Sequence, residues 1–156
     1  MYKYIVQLIV ASILFVFSML VAWYEGSAII EHSYEWKYST PFSSFFEIEV
    51  VTGKEIFALD YFVYAAKFQP LFPMIMLITL LYIMFLLIVM LKKFNHSVAT
   101  IVTFLCCMML ICLALVVANT STNGGRLLLL ATLLGIIFFC SVYVILKKRK
   151  SRHINE

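Results

Sequence analysis

Residues 71–91 read LFPMIMLITLLYIMFLLIVML, and Lys92 and Lys93 follow at once. No side chain in that run carries a charge, and as a helix it would rise about 30 Å, the thickness of the hydrocarbon core of a bilayer. Working outward, three more segments have the same character: Ile5 to Tyr24, Val98 to Ala118 and Leu127 to Leu146. None of them contains Asp, Glu, Lys, Arg or His before its ends. The whole chain is 64% apolar and only 13% charged, whereas soluble domains run near one quarter charged and under one half apolar, roughly. These features predict an all-α membrane protein built as a bundle of four transmembrane helices. At 156 residues there is no room for a separate catalytic domain. The first segment is too long for the apolar part of a cleaved leader, and Leu20, Ala22 and Trp23 make a poor cleavage site, so it is read as a true span.

Charge predicts the orientation. If four spans alternate, Lys3, Lys92, Lys93, Lys147, Lys148, Arg149, Lys150 and Arg152 gather on one side, and only Lys37, Lys54, Lys67 and Arg126 fall on the other. Basic ends resist translocation, which makes the first side cytoplasmic, with both termini there. Lys92, Lys93, Lys147, Lys148, Arg149 and Lys150 then anchor the spans and touch anionic headgroups, so the net charge of +4 points to lipid and not to nucleic acid. Seven of the eight acidic residues, from Glu25 to Asp60, lie in the long first outer loop. Aromatic residues Tyr2, Tyr4, Trp23, Tyr24, Phe94 and Tyr143 mark the two interfaces. Small residues recur every fourth position at Ser18, Ala22 and Gly26, at Ala114 and Ala118, and at Ala131 and Gly135, a spacing that permits close helix packing within the bundle or between subunits. Short linkers at 92–97 and 119–126 make spans two, three and four antiparallel neighbours.

The loop from Glu25 to Gln69 carries eleven aromatic residues in 45 positions, too many for a disordered linker. Tyr34, Trp36 and Tyr38 alternate with Glu35, Lys37 and Ser39, and Phe46, Ile48 and Val50 alternate with Glu47 and Glu49, the period of half-buried strands. With turns at Thr40–Ser44 and Thr52–Gly53 and a third strand over Glu55–Leu59, the expectation is a small antiparallel β lid. Asp60 is then placed to cap a short interfacial helix from Tyr61 to Phe68, with Pro70 and Pro73 marking entry into the second span.

Chemistry at membrane depth is sparse. The spans offer Gln7, a few hydroxyls and two tyrosines, and such hydroxyls usually bond their own helix carbonyls. Glu25, at the membrane edge, is the nearest thing to a transporter's buried carboxylate. Cys106, Cys107 and Cys112 spread around one helix instead of converging, although a partner helix bringing Cys140 would restore one thiol site. They are read as small hydrophobes. No metalloprotease, nucleophile-elbow or phosphate-loop pattern occurs, and no catalytic, cofactor-binding or metal-ligating residue is assigned. The oxygen-rich set Glu31, Glu35, Glu47 and Glu49 reads as wet-face polarity more readily than as a calcium site.

Trp23-Tyr24-Glu25-Gly26-Ser27, followed by Glu35-Trp36-Lys37-Tyr38-Ser39-Thr40-Pro41-Phe42-Ser43, resembles a group of small membrane proteins from Bacillus and its relatives, catalogued as a domain of unknown function. The resemblance covers about the first third of the chain and implies a bacterial cell-membrane location, with no activity or cofactor to carry over. The layout is also similar in shape to claudin-type tetraspan proteins, without their loop cysteines or their tryptophan-glycine-leucine-tryptophan pattern.

The expected organisation is therefore a first span at 1–24 with a short cytoplasmic start, an extracellular loop at 25–69, three spans over 70–146 and a basic cytoplasmic tail at 147–156. The expected function is non-catalytic: a membrane scaffold or interaction protein contacting another membrane protein, an envelope component or itself through Trp23, Tyr34, Trp36 and Tyr38, residue types enriched in binding hot spots. The alternative is a small oligomeric transporter, or an accessory subunit of one, working through Glu25.

Overall fold

The computed structural model describes residues Tyr2–Arg152, with side chains up to Lys148. Every regular element in that range is helical. Four helices are long and apolar enough to cross a membrane: α1 (Tyr2–Gly26), α5 (Leu71–Phe94), α6 (His96–Val117) and α7 (Asn123–Arg152). Between 17% and 28% of the most apolar stretch of each is buried within the protein, so most of the surface of each span requires lipid.

Helix α5 is central, packed against α1 on one side and against α6 and α7 on the other, and α6 and α7 lie along each other. The core of this side joins Ile88, Ala99, Cys106, Cys107, Leu110, Phe139 and Leu146. On α1 the buried positions are Ala11, Ser18, Ala22 and Gly26, so that small-residue stripe is the packing seam. On α7 Gly135 is buried and Ala131 half-buried, whereas Ala114 on α6 is half-buried and Ala118, just past its end, is exposed. Hydroxyls of Ser18, Thr79, Thr100, Thr103, Thr132 and Ser141 all donate to carbonyls of their own helices, which removes them as free polar groups at membrane depth. The turn between α5 and α6 is the single residue Asn95, whose side chain accepts from the Ser97 and Val98 amides at 3.0 and 3.2 Å, an N-cap that satisfies two otherwise orphaned donors.

No strand exists among the described residues, and the β lid is corrected to a helical one. Two 3-10 turns (Ser27–Glu31 and Ser33–Glu35), α2 (Trp36–Ser39), α3 (Pro41–Phe45), a bend over residues 51–56 and α4 (Ala58–Phe68) fill the loop. The alternation at Tyr34, Trp36 and Tyr38 fails as a strand signal because the backbone closes on itself locally. His32 N–H donates to Ile29, Glu35 to His32, Ser44 to Thr40 and Phe46 to Phe42. Pro41 begins α3, where its missing N–H has no cost and its fixed φ fits. The turn at Thr52–Gly53 is present, with Gly53 at φ 73°, but the chain then enters α4 at Ala58 in place of a third strand. A small core of Ile29, Ile56 and Tyr64, with Trp36, Val50 and Tyr61 against it, fills the lid.

Candidate functional site at the lid

Helix α4 is a crossbar with two working faces. On one, Asp60, Tyr64 and Lys67 stand at i, i+4 and i+7, a single stripe. Asp60 is fully buried and lies within the first turn of α4, not ahead of it, so it does not cap that helix as the sequence suggested. Its carboxylate instead accepts from the amides of Phe42 and Ser43, each at 2.8 Å, and from the Ser43 hydroxyl at 2.6 Å. Those two amides belong to the first turn of α3 and have no partner inside it. A cap delivered from a neighbouring helix therefore ties α3 to α4, and hydrogen bonds to a charged acceptor contribute roughly 1.5–3 kcal/mol each. The Ser43 oxygen in turn accepts from the Phe57 amide at 2.9 Å.

One turn on, Tyr64 is buried and its hydroxyl lies 3.3 Å from His32 Nδ1, which donates to the Ala28 carbonyl at 2.8 Å. Burial raises the Tyr64 phenol pKa, and the neighbouring Tyr34 and Glu35 push it the same way. At the third position the Lys67 ammonium donates to the Tyr38 carbonyl and to the Ser39 hydroxyl, the latter at 3.1 Å. The Ser39 hydroxyl in turn donates a hydrogen bond to Glu35 Oε2 at 3.1 Å. Burial lowers the Lys67 pKa and Glu35 opposes that shift. The serine hydroxyls of this clamp are buried and engaged, an arrangement suited to holding and not to nucleophilic attack.

The other face of α4 meets the bundle through two glycines. A Cβ on Gly26, at the end of α1, would sit 2.0 Å from the Tyr61 carbonyl oxygen, and one on Gly124, in the first turn of α7, 2.4 Å from that of Ala66. Only glycine permits either approach. Beside Gly124 an open cleft of about 470 Å³ runs between Lys67, Phe68 and Pro70 on one wall and Ser121, Thr122 and Asn123 on the other.

The candidate contact residues separate into two kinds. Tyr34 and Tyr38 are each 68% exposed, and Trp23 is 46% exposed with its ring 6.3 Å from that of Tyr61. Trp36 is half-buried in the lid core, and its indole donates to the Ile29 carbonyl at 2.8 Å. Glu25 is half-buried, with Oε2 shielded from solvent and without a hydrogen-bond partner among the described residues. Lys92 and Lys93 close α5. Lys93 lies 5.0 Å from the Tyr4 ring and Lys147 lies 6.0 Å from that of Tyr143, so these basic residues share the end of the bundle opposite the lid. Lys148 is exposed; the side chains of Arg149 and Lys150 lie outside the described residues.

Among the described residues no three His, Cys, Asp or Glu side chains converge as metal ligands. With the strands gone, Glu47 and Glu49 no longer share a strand face, and Glu47 adopts φ 54°. Of the thiols, Cys107 and Cys140 meet across α6 and α7 with sulfurs 3.9 Å apart, while Cys106 is buried and Cys112 exposed. Sequence reasoning missed Asp60 and Lys67 as lid anchors. The available signal was their spacing with Tyr64 on an amphipathic segment that also faces a Thr-Pro helix start.

No solved structure matches the chain. It is 36% identical over 82 residues to the uncharacterized protein YjdJ of Bacillus subtilis (strain 168), an overlap of 51% of this chain and 75% of that protein. A family model described as a domain of unknown function (DUF4306) matches residues 5–92, from the first span through the lid and almost to the end of α5. The chain is a multi-pass membrane protein that belongs to the DUF4306 family.

Proposed function

We propose that this protein is a non-catalytic membrane scaffold whose lid presents Tyr34 and Tyr38 to a partner: another membrane protein, an envelope component or a second copy of the chain. The observation that carries the reading is a contrast within the lid. Asp60 and Lys67 hold this segment in place through hydrogen bonds that are buried at Asp60 and part-buried at Lys67, yet the two tyrosines project with 68% of their surface free. Rigid, exposed, amphipathic rings lose little entropy on association, which is why they dominate binding hot spots. In this reading the basic end of the bundle, with both termini, faces the cytoplasm, and the lid faces out. The test is a Tyr34→Ala/Tyr38→Ala double variant, purified after crosslinking of whole cells. Loss of a crosslinked species with unchanged insertion supports the proposal. Retention of every wild-type crosslink overturns it.

A transporter or transporter subunit is the second reading, favoured by the shielded, unpaired Oε2 of Glu25 at the end of α1, since ionisable groups at the membrane edge that lack a structural partner are candidates for ion handling. Proton flux into reconstituted vesicles that disappears in Glu25→Gln would select this reading; no flux above empty vesicles would reject it.

A further inference from the structure

The pairing of Cys107 with Cys140 is separate from the lid and from the proposed partner surface. Cys107 is buried on α6 and Cys140 is exposed on α7, helices that run against each other through the membrane. Their sulfurs are 3.9 Å apart, and a disulfide closes that distance to about 2 Å, a movement within reach of side-chain rotation. Cys106, also buried, is offset from Cys107 by about 100° around α6, and Cys112 lies more than a turn away on the exposed surface. From these positions we infer that Cys107 and Cys140 form a dithiol–disulfide pair that a lipid-soluble quinone oxidises.

Two features select this chemistry. A monovalent soft metal ion such as copper(I), held by two thiolates, would leave a net negative charge in hydrocarbon, whereas a disulfide, like the thiols it replaces, is neutral. The exposed surface of Cys140 also lies on the lipid-facing side of a membrane span, so the co-reactant must travel in the bilayer. In the reaction the S–H bonds of Cys107 and Cys140 break and one S–S bond forms. The two electrons and two protons pass to the quinone, which leaves as the quinol. The product staples α6 to α7 across a separation of 33 residues and fixes their register.

The experiment uses the full-length protein in lipid vesicles, exposed to a fully ring-substituted benzoquinone that cannot itself alkylate thiols. The protein is then denatured, treated with N-ethylmaleimide and weighed intact. The wild-type chain, with four cysteines, should carry four adducts before oxidation and two after it, with four restored by dithiothreitol. Cys106→Ser should fall from three adducts to one. Cys107→Ser and Cys140→Ser should keep three with or without quinone. Four adducts on the oxidised wild type would overturn the inference, as would a loss of two adducts in either Cys107→Ser or Cys140→Ser, or a disulfide-linked dimer mass.

Discussion

The two halves of this molecule are held together in different ways. The family match takes in α1, the lid, α4 and nearly all of α5, and ends at residue 92; the α6–α7 hairpin lies beyond it. In the matched half, the extramembrane structure depends on directional polar contacts, with Asp60 capping α3 and Lys67 bridged through Ser39 to Glu35. In the hairpin, α6 and α7 meet through Phe139, Leu110, Cys107 and their neighbours, and among the described residues no side-chain hydrogen bond links the two helices beyond the contact of two thiols. A hairpin that adds only apolar surface to α5 is weakly constrained along its axis, because lipid and a neighbouring helix are almost equally apolar. The approach of Gly124 to α4 supplies a fixed point at the lid end. The halves are thus joined by a long non-specific seam and one short specific contact.

The largest effect that separates the halves is expected from Asp60→Ala. It strands two amides and a hydroxyl that the carboxylate now satisfies, and at 1–3 kcal/mol for each buried unsatisfied group the lid should lose about 4 kcal/mol. Limited proteolysis in nanodiscs should cut the variant between Phe42 and Phe57 while the α6–α7 hairpin stays protected; equal protection of lid and hairpin would show that the cap does not hold the lid.

Next in size, Gly124→Ala places a methyl 2.4 Å from a backbone oxygen, and the resulting displacement should cost roughly 2–3 kcal/mol. Its signature is loss of the contact between halves, read as faster hydrogen exchange at both ends of that contact, Ala66–Lys67 and Asn123–Arg126, with the α3 cap unaffected. Gly26→Ala, by contrast, should disturb α1 against α4 and leave Asn123–Arg126 protected. If both variants loosen the same amides, the two approaches are one cooperative unit and the distinction between halves fails.

The same contrast explains what the sequence made legible. Four spans could be read because transfer from water to lipid sums over about twenty residues in each, and no local preference competes with a total of that size. The packing seam at Ser18, Ala22 and Gly26 was visible for a related reason: a spacing of four residues on a segment already read as one continuous helix defines a face. The lid was misread because three alternating aromatics over five residues satisfy a strand and a pair of tight helical turns equally, and the choice fell to contacts from far along the chain. Trp36 illustrates this. Its alternation with Tyr34 and Tyr38 implies one shared strand face for all three, whereas the indole turns inward to the Ile29 carbonyl and sits beside Gly53 while the two tyrosines stay exposed. Likewise an acidic residue ahead of an apolar helix reads as that helix's own cap, and nothing local announces that Asp60 serves α3 instead. The Cys107–Cys140 approach depended on the relative rotation of α6 and α7, which periodicity within either helix does not contain.

A smaller effect concerns Lys67. Burial lowers its pKa below the usual 10.5, so between the folded value and 10.5 the unlatched chain binds more protons than the closed one, and lid stability rises with pH across that window and levels off above it. In a Trp23→Phe/Tyr64→Phe background, which removes the phenol whose raised pKa would lower stability in the same range, Trp36 fluorescence should report unfolding temperatures that climb with pH for Lys67 and stay flat for Lys67→Met. A flat wild-type profile would mean that the ammonium is not desolvated by the closed lid.

The smallest effect tests whether the bend before α4 has any stability of its own. Glu55 is exposed, and its carboxylate accepts from the Val51 and Thr52 amides at 2.6 and 3.1 Å. Those bonds hold its pKa below the ordinary 4.5, so their contribution is complete above that value and is lost as pH falls through the folded one. Exchange protection factors at Val51 and Thr52 should therefore drop on acidification in the wild type, while Glu55→Gln should already show the low values at about pH 6. Neither change should reach the Asp60 cap, because the bend is exposed to water whereas the cap is closed to it. An acid transition that opened both together would make the lid a single cooperative element, with the bend serving as its latch.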